Sequence, residues 1–533
     1  MRLSLLVTLA ALASCASVSD TAVQRAPVLS GFGQALLQPG SRNAAAQTWF
    51  AQGMAQAYAF NPAEAVRAFK AALAADPACS LCAWGVAWQL GPNINAPGRD
   101  DLAEARRYVV VAQRHAAQAA PLEQALLDAM AWRYGAPGDM RQDGPGGADV
   151  CGPARRGQAH PLDTAYAERL RGLADRLPDD PDVVSLYAEA ELVATADDWW
   201  DAKTGQPGGR VAEVADRIER ALLAHPRHTG LNHYMVHALD SSAQAQRAVP
   251  AADRLGALAP ASPHLLHMPA HIYVKVGRFE DAVRVNQQAL AAELALTAQI
   301  KSQSLEPVWN WDGHNLHFLW FSALMRDDGE LALSTARRVA EMASKGESPY
   351  AEYRRALPLL TLARLQRWDA VLQEHVPAGK HGMAERMASA LQALAMLNTG
   401  RLAEARAKAQ ALDKDVANAK RKGGRATESD AAGSPFVSVL HSWLQAELAL
   451  RDGQIDSARQ RMAQATEAED ELGGEPPLLA AGSRLMLGRA MLQAGRHADA
   501  EAAFRDDLRV HPGNALAQKG LAQAMARAIA ARR

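Results

Sequence analysis

The chain has 533 residues with a formal net charge of −1 at pH 7, so it offers no overall basic surface and we expect no nucleic-acid partner. After residue 15 no segment has the roughly 18 uninterrupted apolar residues of a membrane span. Abundant alanine, few β-branched runs and a charged fraction of 22% predict an all-α protein.

The first 15 residues predict an export signal that carries a lipid attachment site. Arg2 precedes an apolar run, residues 3–12, that is too short to span a membrane. LASC at 12–15 resembles the bacterial lipobox, in which cleavage leaves Cys15 as a lipidated N-terminus. This resemblance implies a periplasmic-facing lipoprotein of the cell envelope, and Ala16 favours the outer membrane. A plain secreted protein is the alternative. Residues 16–45 are polar and aperiodic, which predicts a flexible tether.

Three further cysteines would be oxidisable after export. Cys79 and Cys82 can form a local disulfide, hold a soft metal as thiolates, or leave one partner for Cys151. A disulfide or plain buried thiols are the simpler interpretations. A redox role is disfavoured because no βαβ pattern surrounds the pair.

A helix-turn-helix repeat begins near residue 46. In its first unit, six residues occupy positions 4, 8, 20, 24, 27 and 32 of a 34-residue pattern: Trp49, Gly53, Ala65, Phe69, Ala72 and Pro77. This pattern resembles the tetratricopeptide repeat (TPR), which implies a right-handed α-solenoid. We assign 46–412 to this superhelix, 413–435 to a polar loop, and 436–533 to further repeats with a capping helix. In TPR proteins, positions 2, 5, 9 and 12 line the concave groove.

Two stretches interrupt the repeats. The loop that carries Trp199 and Trp200 either closes the mouth of the groove or caps a repeat. A 16-residue surplus before the third histidine-bearing unit brings acidic and aromatic residues beside it: Glu306, Trp309, Trp311 and Asp312.

Nine of the 16 histidines lie between residues 225 and 317, and three pairs stand on successive first helices. The pairs are His233 and His237, His267 and His271, and His314 and His317. Residues three or four apart on a helix have Cβ atoms about 5 to 6 Å apart. In the repeat frame the first two pairs occupy positions 5 and 9, and the third occupies 2 and 5. The imidazoles are therefore predicted to converge in the groove.

These six histidines predict a transition-metal site, with copper first and zinc or iron next. They can hold one ion, or two ions as three plus three. Asp240 and His264 are possible additional ligands or outer partners, and Pro269 should kink the helix beside His267. A hydrogen-bonding peptide groove and histidines satisfied by backbone carbonyls are the alternatives.

The phrases HYMVHALD, HLLHMPAHIYVKVGRFEDAV and HNLHFLW resemble large exported bacterial TPR proteins. This resemblance implies architecture and location rather than a reaction. We therefore expect a lipid-anchored, metal-binding solenoid, and the sequence leaves open whether the metal supports catalysis. The competing hypotheses are an envelope scaffold that binds a peptide or partner protein in the groove, and a metal chaperone or store.

Overall fold

The computed structural model describes residues 25–95, 102–135, 160–195, 199–201, 203–308, 312–422, 434–480 and 482–531. The predicted export signal, its lipidation site at Cys15, Cys151, Trp309 and Trp311 lie outside these residues. Within them the chain folds into helices and connecting turns, with no β-strand. No helix in this part of the chain combines the length and apolar character that crossing a membrane requires.

The helices are numbered in chain order. They are α1 Ala44–Tyr58, α2 Pro62–Ala75, α3 Ser80–Leu90, α4 Leu102–Gln113, α5 Pro121–Tyr134, α6 Pro161–Arg176, α7 Pro181–Ala194, α8 Val211–Ala224, α9 Thr229–Leu239, α10 Val249–Leu258, α11 Pro263–His267, α12 Pro269–Lys275, α13 Phe279–Ser302, α14 Asp312–Met325, α15 Gly329–Met342, α16 Pro349–Arg364, α17 Trp368–Gln373, α18 Met383–Asn398, α19 Leu402–Lys422, α20 Pro435–Arg451, α21 Ile455–Leu472, α22 Ser483–Gln493, α23 His497–Val510 and α24 Ala515–Ala530. Short 3₁₀ turns lie at Ala116–Gln118 and Ala245–Ala248.

Helices that follow one another in the chain pack against each other, and several also contact the helix two places along, as α11 does with α13 and α16 with α18. Small and bulky residues alternate at these contacts. Gly53, for example, leaves no room for a Cβ beside the Phe69 ring, and Gly488 has the same relation to Phe504. This is the sequential packing of a repeat array. The predicted fold class, an all-α TPR-like solenoid, is confirmed.

Seven of the turns between paired helices in the described chain share one geometry. In each, the residue five places before the small residue at position 20 has a positive φ. The backbone N–H of the residue that follows it donates to the carbonyl five residues earlier, as Arg278 N–H does to Tyr273 O at 2.8 Å. This is a left-handed helix cap, for which glycine is preferred. Four turns have glycine there: Gly277, Gly400, Gly453 and Gly495. In the first repeat Phe60 takes that place with a φ of 47°.

The chain before α1 differs from the free tether that we expected for residues 16 to 45. Residues 25–43 are extended, but they lie against the array: Gln34 N–H donates to Thr229 Oγ1 at 2.9 Å, and Leu36 N–H donates to Asp182 at 2.8 Å. Leu29 and Phe32 are buried. An extended segment shows no helical period, so the sequence pattern could not reveal these apolar anchors. We call residues 25–43 the N-terminal strap.

The last repeats fold back onto the middle of the chain. A Cβ on Gly277 would lie 2.2 Å from the carbonyl oxygen of Pro512, and Lys519 pairs with Asp327 at 2.7 Å. The loop between α21 and α22 also reaches the histidine helices, where Tyr353 donates a hydrogen bond to the carbonyl of Leu478. The histidines are therefore enclosed rather than set in an open groove.

Three further predictions have structural outcomes. Cys79 and Cys82 form a local disulfide, the first of the alternatives above. The first part of the surplus before α14 is helical, since α13 extends over 24 residues to Ser302. The polar loop expected from residue 413 begins later, because α19 continues to Lys422.

Candidate metal centre

Three first helices of neighbouring repeats bring the histidines together. α9 presents His233 and His237, the α11–α12 pair presents His264, His267 and His271, and α14 presents His314 and His317. The helix break falls at Pro269, as predicted: α11 ends at His267 and α12 starts two residues later. His271 N–H then bonds Met268 O, three residues back, at 3.1 Å.

The first triad consists of His233, His237 and His264. The Nε2 atom of His233 lies 3.1 Å from that of His237 and 3.0 Å from that of His264. All three residues are buried. An ion with metal–nitrogen bonds of about 2.0 to 2.1 Å at tetrahedral angles separates its ligand nitrogens by about 3.3 Å. The triad therefore has the dimensions of a three-histidine metal site.

The second triad consists of His267, His271 and His314. The Nε2 atom of His271 lies 3.0 Å from that of His267 and 3.5 Å from that of His314. In both triads the three ligand atoms lie within 4.8 Å of one another. The described part of the chain thus contains two groups of three imidazoles.

The other ring nitrogens fix the tautomers in the second triad. Asn286 Nδ2 donates to Ala282 O at 2.7 Å, so its Oδ1 faces His267 and accepts from His267 Nδ1–H at 2.7 Å. His271 Nδ1 lies 3.3 Å from Oε1 of Glu475, which is also an acceptor. When His271 also carries its proton on Nδ1, the two Nε2 atoms present lone pairs to each other at 3.0 Å. A cation between them would turn this repulsion into coordination.

The first triad is organised in the same way. His233 Nδ1 lies 2.7 Å from the backbone carbonyl of Tyr58, which can only accept, so the proton is on Nδ1 and the lone pair on Nε2. His237 Nδ1 lies 3.7 Å from Asp240 Oδ2. Acceptors that hold the second ring nitrogen are typical of metal-ligating histidines, because they fix the ring and its tautomer.

Burial disfavours the charged form of four of these imidazoles. It lowers the pKa of His233 to about 3. Burial and the neighbouring imidazoles together hold the pKa of His237, His264 and His314 well below its usual range. A neutral imidazole is the form that binds a metal. The triads are therefore ready to accept cations at neutral pH.

One phenylalanine covers each triad. The Phe60 ring lies 4.4 to 5.3 Å from the three rings of the first triad, and the Phe318 ring lies 4.5 to 5.0 Å from those of the second. Trp199 adds an edge contact to His237 at 6.1 Å, and its indole N–H bonds Leu192 O at 3.0 Å. These rings make the surroundings of both triads largely apolar.

Two carboxyl groups stand behind the triads. Oxygens of Asp240 and Glu475 and a nitrogen of His271 lie within 4.8 Å of one another. Burial raises the pKa of Asp240, and the charge of Glu475 adds to the rise. Burial opposes ionisation of Glu475 as well, but His271 and Lys275 outweigh it and lower its pKa. Glu475 is thus the carboxylate that orients His271.

The observed triads differ from the expected set of six at one place. His264, expected only as an additional ligand or outer partner, completes the first triad, whereas His317 lies outside both. His317 Nε2 instead lies 3.2 Å from the hydroxyl of Tyr353, on the next first helix. Asp240 lies behind His237, in the outer position that we also considered.

A register rule explains this partition. Each triad combines positions 5 and 9 of one repeat with position 2 of the next, since His264 and His314 both stand at position 2. In the next repeat, positions 5 and 9 are His317 and Phe321, and position 2 of the repeat after it is Tyr353. The sequence carried this signal, but sequence reasoning missed it. Sequence reasoning also missed Tyr58, Asn286, Phe60 and Glu475, which reach the site through distant contacts.

Comparison with known proteins adds only a general likeness. No protein-family model and no curated protein matches the chain. Similar solved structures include the human IFIT1 dimer with m7Gppp-AAAA, at 12% identity over 92% of each chain and a TM-score of 0.31. They also include the P58(IPK) TPR domain, with 11% identity over 90% of this chain and 98% of that chain and a TM-score of 0.23. Yeast Tom70 has 10% identity over 90% of this chain and 88% of that chain, with a TM-score of 0.28. We draw nothing about function from these likenesses.

Proposed function

We propose that this protein binds two transition-metal ions, one in each histidine triad. The observation that carries the proposal is the pair of Nε2 atoms of His267 and His271, which face each other at 3.0 Å while both Nδ1 atoms face acceptors. His233 and His237 also face each other through their Nε2 atoms, at 3.1 Å, and His233 Nδ1 faces the Tyr58 carbonyl. When both rings of such a pair carry their proton on Nδ1, their Nε2 lone pairs repel each other, and a cation bound between them would relieve that repulsion.

Copper is the first candidate, with zinc and iron next. Imidazole suits all three metals, and copper binds most strongly among the divalent ions to a given nitrogen site. Neither triad includes a carboxylate among its three ligands. A neutral ligand set in an apolar pocket favours a metal that binds nitrogen strongly over one that requires oxygen.

The metal ions in this proposal support catalysis. Three protein ligands leave a coordination position for water or a substrate, which is the pattern of catalytic rather than structural sites. A metal chaperone or store needs rapid exchange, which the burial of all but one of the six ligands disfavours. We therefore place an enzyme ahead of a carrier.

We further propose that the protein is exported and anchored by lipid at Cys15 to the periplasmic face of the outer membrane. The disulfide between Cys79 and Cys82 supports an oxidising compartment. Replacing Cys15 with Ala should move the protein from the detergent-extracted membrane fraction to the soluble periplasmic fraction. An unchanged distribution would contradict the anchor.

A peptide-binding scaffold is the second candidate, and a different surface favours it. An open groove of about 660 Å³ lies between α10 and α13, and its lining includes five alanines together with Asp253 and Arg284. A partner bound there would remain bound after chelation of metal, since this groove contains none of the six ligands.

Thermal unfolding with and without metal tests the proposed function. Untagged, chelator-stripped protein is titrated with copper, zinc or iron. Free metal at a thousandfold excess over Kd should stabilise the fold by about 4 kcal/mol per site, and a chelator should reverse the effect. A His267→Ala/His271→Ala variant should show roughly half the gain. Stabilisation by none of the three metals would overturn the proposal.

A further inference from the structure

A small cavity lies directly beside the first triad. It is bounded by the turn between α1 and α2, the start of α11 and the added turns of α13, and Phe32 of the N-terminal strap forms part of its wall. Its total empty volume, including the opening to solvent, is about 380 Å³. Within it, the centre of a water-sized group can move through only about 20 Å³. Such a space holds about one water. His264 belongs to both the cavity wall and the triad.

Glu64 lines this cavity, and one of its carboxylate oxygens is unsatisfied. Its side chain is almost wholly buried, and its Oε1 accepts from Arg67 Nη1 at 2.9 Å. Its Oε2 has no hydrogen-bond donor among the residues that the structure describes. A buried acceptor without a donor is costly, and a charged one more so. A donor supplied by a bound molecule would remove that cost.

The charge of the wall selects the kind of donor. Two buried carboxyl groups, Glu64 and Glu293, line the cavity, and no lysine or arginine is among its lining residues. An inorganic cation is disfavoured, because neither glutamate belongs to a group of three metal-ligand atoms within 4.8 Å in the described chain. The lining also includes the apolar side chains of Leu296, Ile300 and Val308, of which Val308 is exposed to solvent. A cationic head with an apolar stem matches this arrangement.

We propose that the cavity binds a small primary amine as its ammonium ion, with the head at Glu64 and the stem towards Val308. The inner space admits an NH₃⁺ group, which has the size of a water molecule, and excludes a trimethylammonium group. The bound amine contacts the His264 ring and so reaches the first triad. The idea that the amine is the small molecule that meets the metal centre rests on the proposed function. The amine site itself requires no metal.

Propylammonium is the probe, with propan-1-ol, propanoate and propyltrimethylammonium as matched competitors. Binding is measured by calorimetry on metal-free and metal-loaded full-length protein. We expect propylammonium to bind both forms and the other three to bind at least about tenfold more weakly, since a charge-assisted hydrogen bond is lost. Glu64→Gln should weaken propylammonium binding by about tenfold or more, and the exposed control Glu330→Gln should leave it unchanged.

A second variant protects the test against misfolding of Glu64→Gln. Phe32→Ala removes part of the wall and should admit propyltrimethylammonium while propylammonium still binds. Equal binding of the four probes, or equal binding by Glu64→Gln and wild type, would overturn the amine site. Metal binding without amine binding would overturn only this inference, and amine binding by a protein that binds no metal would overturn only the metal proposal.

Discussion

The Nδ1 atom of His271 lies 3.3 Å from Oε1 of Glu475, so a loop of the last repeats orients a histidine of the second triad. Replacing Glu475 with Gln keeps the shape but removes the charge that raises the basicity of the ring. Metal affinity at the second triad should fall by about 10- to 100-fold, measured by competition with a chromophoric chelator. The exposed neighbour Glu471→Gln is the control, and equal affinities for the two variants would contradict this role.

The strained turn at Phe60 gives a prediction in which two effects compete. Phe60→Gly relieves a left-handed backbone, worth about 1 to 2 kcal/mol, but removes a buried aromatic ring worth about 3 to 5 kcal/mol. We expect a net loss of about 2 kcal/mol in the free energy of unfolding by urea.

The equivalent turn at Gln366 provides the control. Its φ is 58° and its side chain is exposed, so Gln366→Gly should give only the relief and stabilise the protein by about 1 kcal/mol. A stabilised Phe60→Gly variant would show that the ring contributes little packing against the first triad.

Asp182 makes stability depend on acid pH. Burial opposes its ionisation, but hydrogen bonds from His228, Tyr58 and the Leu36 amide outweigh burial and lower its pKa. Because the folded-state pKa is below the unfolded value of about 3.9, its contribution is complete above that pH and is lost as the pH falls through the folded value.

Unfolding by urea at pH 7, 5 and 3 tests this contribution. The free-energy difference between wild type and Asp182→Asn should be largest at pH 7 and should shrink at pH 3. The exposed neighbour Asp179→Asn should show no such trend. A difference between wild type and Asp182→Asn that is independent of pH would contradict the assignment.

The repeat register made much of this structure predictable. Ala65, Phe69 and Ala282 are buried residues at repeat positions that recur along the chain. The spacing of these positions determines which helices pair and which faces of the helices meet. The same register placed His233 and His237 on one face beside His267. Local sequence therefore specified the fold and the convergence of the histidines.

Contacts between distant segments account for what could not be predicted. Glu475 reaches His271 only because the last repeats fold back, and the strap lies along the array through side chains without periodicity. The choice of His264 over His317 depends on which neighbouring helix each ring faces. None of these relations leaves a local pattern, although the position-2 histidines were readable in the repeat frame.

Metal content tests the central claim most directly. Untagged wild type, His264→Ala and His317→Ala are exported to a periplasm, purified without chelators, checked for folding by circular dichroism and analysed by mass spectrometry. The two triads predict two equivalents of one metal in wild type, one in His264→Ala and two in His317→Ala. A wild-type protein without metal would contradict the account. So would a His317→Ala variant that loses metal while the His264→Ala variant keeps both equivalents.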